Sequence, residues 1–116
     1  MYESEFIKNI KGKVAYLALL NGDIEISGDG YERVPIIFND IYFDETEEGM
    51  FSKVQVSFNE SKSFWGRVDA VAICQDKNSK SGYINVIHPR YVGAETQITF
   101  QKGDIKILYP KIKNFY

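Results

Sequence analysis

Few side chains of this 116-residue chain are of the types that carry out chemistry. The chain has one histidine, His88, and one cysteine, Cys74. A Ser-His-Asp triad would depend on that single histidine, and no G-x-S-x-G sequence is present to hold a nucleophilic serine on a sharp turn. Cys74 lies in an apolar run, where a thiol packs as a small hydrophobe. The composition therefore predicts a non-enzymatic protein without catalytic residues.

Acidic side chains are the second candidate for chemistry. Asp23 and Asp29 flank one turn region, and residues 44–49 read DETEEG. Paired carboxylates could support glycoside hydrolysis, and several from one loop could bind calcium. The EF-hand pattern is absent, however, and a zinc site needs several His or Cys ligands. We interpret 44–49 as a solvated loop and predict no metal and no cofactor.

The charge pattern bears on the class of partner. The net charge is −2, which argues against a general nucleic-acid binder, because such proteins depend on a basic surface. Residues 1–60 hold 5 basic and 12 acidic side chains, and residues 61–116 hold 9 basic and 4 acidic. This asymmetry has two readings: a mixed surface, or an acidic face that meets a basic face on a neighbouring copy.

Compartment signals are weak. The first residues, MYESEF, are charged rather than apolar, so no signal peptide is predicted, and no apolar run approaches membrane-spanning length. A single cysteine excludes an intrachain disulfide. We therefore expect no membrane association and folding in a cytoplasm.

The elements that would position these groups read as strands. Aromatic residues make up 15% of the chain, which suits half-buried pleated surfaces. The first strand, 13–20, is apolar on both faces, so we expect both to be covered. Pro35 interrupts the third strand and predicts an edge or a bulge. Eight strands are predicted in all, the last two as a hairpin through 101–104: 13–20, 24–27, 31–38, 54–58, 67–75, 83–87, 96–100 and 105–109.

This pattern predicts an all-β, single-domain antiparallel β-sandwich of jelly-roll or immunoglobulin-like type. The predicted domain spans 13–109, with an N-terminal arm at 1–12 and a C-terminal tail at 110–116. The spacing within 1–12 suits either one or two helical turns closed by Gly12 or an extended arm. The apolar groups of both arms either dock on neighbours or pack locally and fray. We expect docking, with the interface formed by Phe6, Ile10, Phe115 and Tyr116.

Two local features read as structural anchors. In the Gly28-Asp29-Gly30 turn, both glycines permit a backbone that other residues avoid, and Tyr31 follows it. Trp65 precedes Gly66 at a strand start and is interpreted as a core residue. The alternative is a sugar-binding platform of exposed aromatics, formed by Trp65 together with Tyr31, Tyr42, Tyr83 and Tyr91.

These anchors occur in an order that resembles a family of small virion β-domains of tailed bacteriophages, described as tail-fibre-like, tail or head-decoration proteins. The matching segments are an apolar first strand, the Gly-Asp-Gly-Tyr turn, the strand with Pro35, the Trp-Gly step, an apolar strand with its Asp-to-Gly hairpin, and a late Gly-Asp: 16–20, 28–31, 33–38, 65–68, 70–82 and 103–107. The resemblance covers 13–109, and the acidic insert and both arms lie outside it.

The resemblance implies a mechanical role in the virion, after folding in the host bacterial cytoplasm. Partners would be other copies of the chain and phage capsid or tail proteins, joined through multivalent symmetric contacts. The alternative function is a carbohydrate- or host-surface-binding β-sandwich module.

Overall fold

The computed structural model describes residues 8–109, and this part of the chain is nearly all β. Residues 8–10 are helical, and Gly12 follows with a φ of 77°. The helical reading of this start is thus confirmed for residues 8–10. Ten strands follow within the described residues: β1 Val14–Asn21, β2 Ile24–Glu25, β3 Val34–Ile37, β4 Phe43–Glu45, β5 Gly49–Ser52, β6 Val56–Ser57, β7 Gly66–Cys74, β8 Tyr83–Val92, β9 Thr99–Phe100 and β10 Lys106–Leu108.

The main sheet is antiparallel and contains the three longest strands. Its order is β2-β1-β7-β8. β3 also pairs with β1, along residues 14–17, whereas β2 pairs with residues 20 and 21 at the other end of β1. β2 and β3 thus share one edge of the sheet, and β8 forms the other. The edge position predicted from Pro35 is confirmed, since Pro35 lies opposite Tyr16 in β3.

A second layer covers one face of this sheet. It consists of the three-stranded sheet β10-β5-β4 and the two-stranded sheet β6-β9. Large side chains from this layer, among them Phe43, Phe100 and Ile107, pack in one core with Leu17, Leu19 and others of the main sheet. The predicted all-β antiparallel sandwich is therefore confirmed.

The expected final hairpin is wrong. β9 pairs with β6, and β10 pairs with β5, so the two strands enter different sheets. The turn between them is stabilised by Ser52 of β5, because Gly103 N–H donates to both the carbonyl and the hydroxyl oxygen of Ser52. A turn signal predicts a change of chain direction, but it does not specify which strand becomes the partner.

The segment 44–49, predicted as a solvated loop, is exposed over 44–48 but is not a loop. Asp44 and Glu45 belong to β4, and Gly49 begins β5, so the segment is a β-hairpin. A side chain at Gly49 would overlap the backbone of Ile107, which explains the glycine there. The hairpin was missed because β4 carries a single buried residue, Phe43, beside two exposed carboxylates.

β8 runs to Val92 rather than ending at Ile87. Ala70 pairs with Val86 and Val68 with Arg90, so the residues between Val86 and Arg90 form a bulge. Pro89 lies within this bulge, where no ladder hydrogen bond from its nitrogen is required. His88 is in the same bulge and is exposed.

The first strand is apolar on both faces, as predicted, but the faces differ in burial. Ala15, Leu17 and Leu19 face the main core and are fully buried. On the opposite face Ala18 and Leu20 join Ala70, Ala72 and Cys74 in a smaller buried cluster. Val14, at the start of this face, is exposed, so the expected cover on both sides holds only in part.

Candidate interaction surface

The Gly-Asp-Gly turn and Trp65 form one locked contact. Trp65 is 7% exposed, and its Nε1 donates to the carbonyl of Asp29 at 2.9 Å. The same carbonyl accepts the Lys62 N–H, also at 2.9 Å. A Cβ at Gly28 would overlap the Trp65 ring, and Gly30 has a φ of 85°. The core position predicted for Trp65 is confirmed.

Tyr31 extends this lock to the sheet edge. Its ring makes an edge contact with Trp65 at a centroid distance of 5.6 Å. Its hydroxyl donates to Glu25 Oε2 at 2.6 Å and accepts the Leu19 N–H at 3.0 Å. Burial, together with the bond to Glu25, raises the pKa of Tyr31 above its ordinary value, which keeps the hydroxyl protonated as a donor.

Arg33 and Glu25 form a bidentate ion pair that sequence reasoning missed. Arg33 Nε and Nη2 each reach a Glu25 oxygen at 2.9 Å, and the side chains are 11% and 29% exposed. Arg33 also donates to the carbonyls of Asp76 and Ser79, in the loop between β7 and β8. The bond from Arg33 holds the pKa of Glu25 below its usual value. The guanidinium thus ties one edge of the sheet to a distant hairpin.

The face of the main sheet that points away from the core is apolar. We call it the outer face. Ala18 pairs with Ala72, and Ala72 pairs with Ile84, so these three form one row across it. Leu20, Ala70 and Val86 form the next row. The alanines are shielded by their neighbours, whereas Ile84 and Val86, on β8, are exposed.

A groove separates β8 from β10 on the other side of the β8 edge. Backbone N–H groups of β10 donate to side chains of β8 here: Lys106 to Asn85 Oδ1 at 3.0 Å and Leu108 to the Tyr83 hydroxyl at 3.1 Å. Beyond these bonds the gap opens into a cavity of about 450 Å³. We call it the basic groove; its lining includes Val86, His88, Arg90, Phe100, Gly103 and Lys106.

Arg90 is held in position within the basic groove. Its guanidinium carbon lies 4.8 Å from the centroid of the Phe100 ring, and Nη1 donates to the Thr99 carbonyl at 2.7 Å. The acid in this lining, Asp104, accepts the Gln101 N–H through Oδ2. Within residues 8–109, neither Arg90 nor Lys106 makes an ion pair. The lining therefore holds two cations and one carboxylate, so the groove is net positive, and in the described residues neither cation is in an ion pair.

The β4–β5 hairpin presents the opposite charge. At its base Glu45 accepts hydrogen bonds from Lys11 at 2.8 and 2.9 Å and from the Tyr109 hydroxyl. The bond from Lys11, followed by that from Tyr109, lowers the pKa of Glu45. At its tip Glu47 and Glu48 are exposed, and neither forms an ion pair within the described part of the chain.

Within residues 8–109, the Cys74 and His88 side chains lie in different parts of the fold. Cys74 is buried in the outer-face cluster, and burial raises the pKa of its thiol. No serine or cysteine lines the groove in which His88 lies. Among residues 8–109, no group of three or more His, Cys, Asp or Glu side chains is placed to hold a metal ion. In the same range, no helix is both long and apolar enough to cross a membrane.

The predicted interface residues fare differently. Ile10 is 1% exposed and packs in the main core, so the expectation that it docks on a neighbour is wrong. It also belongs to the folded unit, which places the predicted boundary at residue 13 too late. Phe6, Phe115 and Tyr116 lie outside the described residues. Gly66, predicted as an anchor, has a φ of 87° where the chain enters β7.

The five aromatics of the sugar-platform alternative do not share an exposed surface. Trp65 is buried, and Tyr31, Tyr42 and Tyr83 are each partly buried against the main core. Tyr91 is the exposed member of the set. The reading of Trp65 as an exposed stacking platform is therefore wrong.

Comparisons of the chain with protein-family models, with curated proteins and with solved structures found no match. The resemblance to phage virion β-domains thus stays a prediction from the sequence motifs.

Proposed function

We propose that this chain is a non-enzymatic structural subunit of a tailed-phage virion, as head decoration or as part of the tail or fibre. It acts through repeated contacts with copies of itself and with neighbouring capsid or tail proteins. The sequence resemblance supports the virion assignment, and the structure supports a role in protein contacts. We assign its place of action to the assembled particle.

The observation that carries the contact role is the β8 edge of the main sheet. Within residues 8–109, β8 pairs with β7 alone, so its other side is an unpaired strand edge. Ile84 and Val86 are exposed on the same strand, and Val86 is 83% exposed. Residues 83–86, which precede the bulge that contains Pro89, carry no Asp, Glu, Lys, Arg or Pro. Soluble proteins usually protect an edge with charges, proline or a bulge, so this unprotected stretch favours a binding surface.

The contact role is tested by adding a charge to this edge. Val86→Glu should reduce self-association of the purified chain, measured by size-exclusion chromatography with light scattering over a concentration series. Ile24→Glu is the matched control, because Ile24 is 71% exposed and lies on the opposite edge. Equal effects of the two substitutions, or a wild-type chain that is monomeric at all concentrations, would contradict self-assembly through β8.

The virion assignment needs a separate test. Mass spectrometry of purified phage particles should detect the chain in stoichiometric amounts, and cryo-electron microscopy should locate its density on the head, tail or fibre. Absence of the chain from particles in whose genome it is encoded would overturn the assignment.

A further inference from the structure

We propose that the basic groove of one copy binds the acidic tip of the β4–β5 hairpin of a second copy. This contact names the partner of the proposed assembly subunit and rests on that proposed function. It is a head-to-tail contact, because the two surfaces are different parts of the same chain.

The groove suits a carboxylate because its positive charge is fixed in place. Arg90 lies over Phe100 with one Nη on the Thr99 carbonyl, so little conformational freedom is lost when an anion binds its remaining donors. Lys106 adds a second cation from the facing strand β10. Lys102 is exposed next to Gly103 in the same turn; it does not line the groove but adds positive charge beside it. None of the three is paired with a carboxylate within residues 8–109.

The hairpin tip suits the groove because it is narrow, exposed and internally fixed. Glu48 N–H donates to Thr46 Oγ1 at 3.1 Å, and the Gly49 and Thr46 backbones bond to each other across the turn. Glu47 and Glu48 are therefore presented on a formed turn, and both are unpaired in the described residues. The tip and the groove carry the opposite unpaired charges that such a contact needs.

The tip does not occupy the groove of its own chain. β5 and β10 run antiparallel, and the tip lies at the end where Tyr109 N–H bonds to the Glu48 carbonyl. The groove lies at the other end, where Gly103 N–H bonds to the Ser52 carbonyl. Four residue steps along β5, from Glu48 to Ser52, separate these ends, a distance of roughly 13 Å. Lys106, opposite Phe51, lies nearer to the tip but forms no ion pair with Glu47 or Glu48 within residues 8–109. The partner is therefore another copy, and repetition of the contact builds a ring or a filament.

Charge reversal tests the contact directly. A groove variant, Lys102→Glu with Lys106→Glu, and a tip variant, Glu47→Lys with Glu48→Lys, should each weaken self-association by about tenfold or more at low salt. An equimolar mixture of the two variants should restore association, because the reversed groove now faces the reversed tip. Analytical ultracentrifugation measures this, and rising salt should weaken the wild-type and the mixed assemblies alike.

Two full-length controls carry the same charge changes elsewhere. Lys77→Glu with Lys80→Glu alters the loop between β7 and β8, and Glu3→Lys with Glu5→Lys alters the segment before residue 8. Neither should change association. Circular dichroism and thermal unfolding show that each variant is folded, so that loss of association is not loss of structure.

The outcomes separate this contact from the proposed function. Failure of the mixture to associate, or a loss caused equally by the loop control, overturns the head-to-tail contact. A loss caused by the Glu3 and Glu5 variant but not by the tip variant overturns it too, and assigns the groove to the N-terminal segment. In each case the chain can still be found in particles, and only its absence there counts against the virion role.

Discussion

The two edges of the main sheet are built in opposite ways. One edge consists of β2 and β3, with two and four residues, which lie end to end along β1 and are interrupted by Pro35. The other edge is β8, with ten residues, and its stretch 83–86 is uncharged and precedes the bulge that contains Pro89. Short edges and edges with charges, proline or a bulge resist the addition of a foreign strand, whereas a regular uncharged stretch such as 83–86 permits it.

The protected edge is also the one with the most internal bonds. The Tyr31 hydroxyl accepts a hydrogen bond from the Leu19 N–H, at the part of β1 that neither β2 nor β3 covers. The Arg33–Glu25 ion pair lies at the same edge. At β8 the side chains of Asn85 and Tyr83 each accept one hydrogen bond from a backbone N–H of β10. Asn85 Nδ2 is buried without a partner in the described residues. The difference indicates that the β2/β3 edge contributes more to the stability of the fold and that the β8 edge is the one available for binding.

The largest expected effect comes from removing the indole that holds the protected edge in place. Trp65→Ala deletes the ring packed on Tyr31 and the donor to the Asp29 carbonyl. We expect a loss of about 3–5 kcal/mol in the free energy of unfolding, measured by urea denaturation. Tyr91→Ala, which removes an exposed aromatic from β8, is the control and should cost far less. Similar losses for both would remove the distinction between the edges.

A smaller effect is expected from the ion pair on the protected edge. Glu25→Gln leaves Arg33 and the Tyr31 hydroxyl with a neutral partner, at a cost of about 1–3 kcal/mol at pH 7. Because Arg33 lowers the pKa of Glu25 in the folded chain, its contribution is present above the unfolded pKa of about 4.3. That contribution is lost as pH falls through the folded value.

The difference in stability between wild type and Glu25→Gln should therefore shrink as pH falls from about 5 towards 3. Urea denaturation at a series of pH values measures it, and Glu32→Gln is the control, since Glu32 is exposed on the same segment. A difference that stays constant with pH would show that the carboxylate charge of Glu25 does not stabilise this edge.

Local patterns in the sequence predicted the parts of the fold that depend on nearest neighbours. The first strand with its two apolar faces, the reversal between the strands predicted at 67–75 and 83–87, and the core position of Trp65 follow from residue type and spacing. The partners of β9 and β10 do not, because a turn at 101–104 is equally compatible with a hairpin and with strands in separate sheets. The β4–β5 hairpin was not predicted for a related reason. β4 has one buried residue and two exposed carboxylates, so its sequence lacks the apolar alternation that indicates a strand.

The candidate surfaces were predictable to different degrees. The uncharged run at 83–89 can be read directly from the sequence, although its edge position cannot. The Arg33–Glu25 pair has no sequence signal, because the two residues approach only when β2 and β3 share a neighbour. The basic groove likewise joins His88 and Arg90 with Lys106 of a later strand. The division of charge between the two halves of the chain was its one visible sign.

The smallest expected effect sharpens the reason why the protected edge is stable. Lys11–Glu45 is an ion pair like Arg33–Glu25, but its side chains are 50% and 44% exposed. Lys11→Met should therefore cost less than about 1 kcal/mol, since water screens an exposed pair and two long side chains lose freedom to form it. Urea denaturation beside Glu25→Gln at pH 7 measures the contrast. If Lys11→Met costs as much free energy as Glu25→Gln, partial burial does not explain why the Arg33–Glu25 pair is stabilising. The hydrogen bonds from Arg33 to carbonyls of the β7–β8 loop then become the explanation.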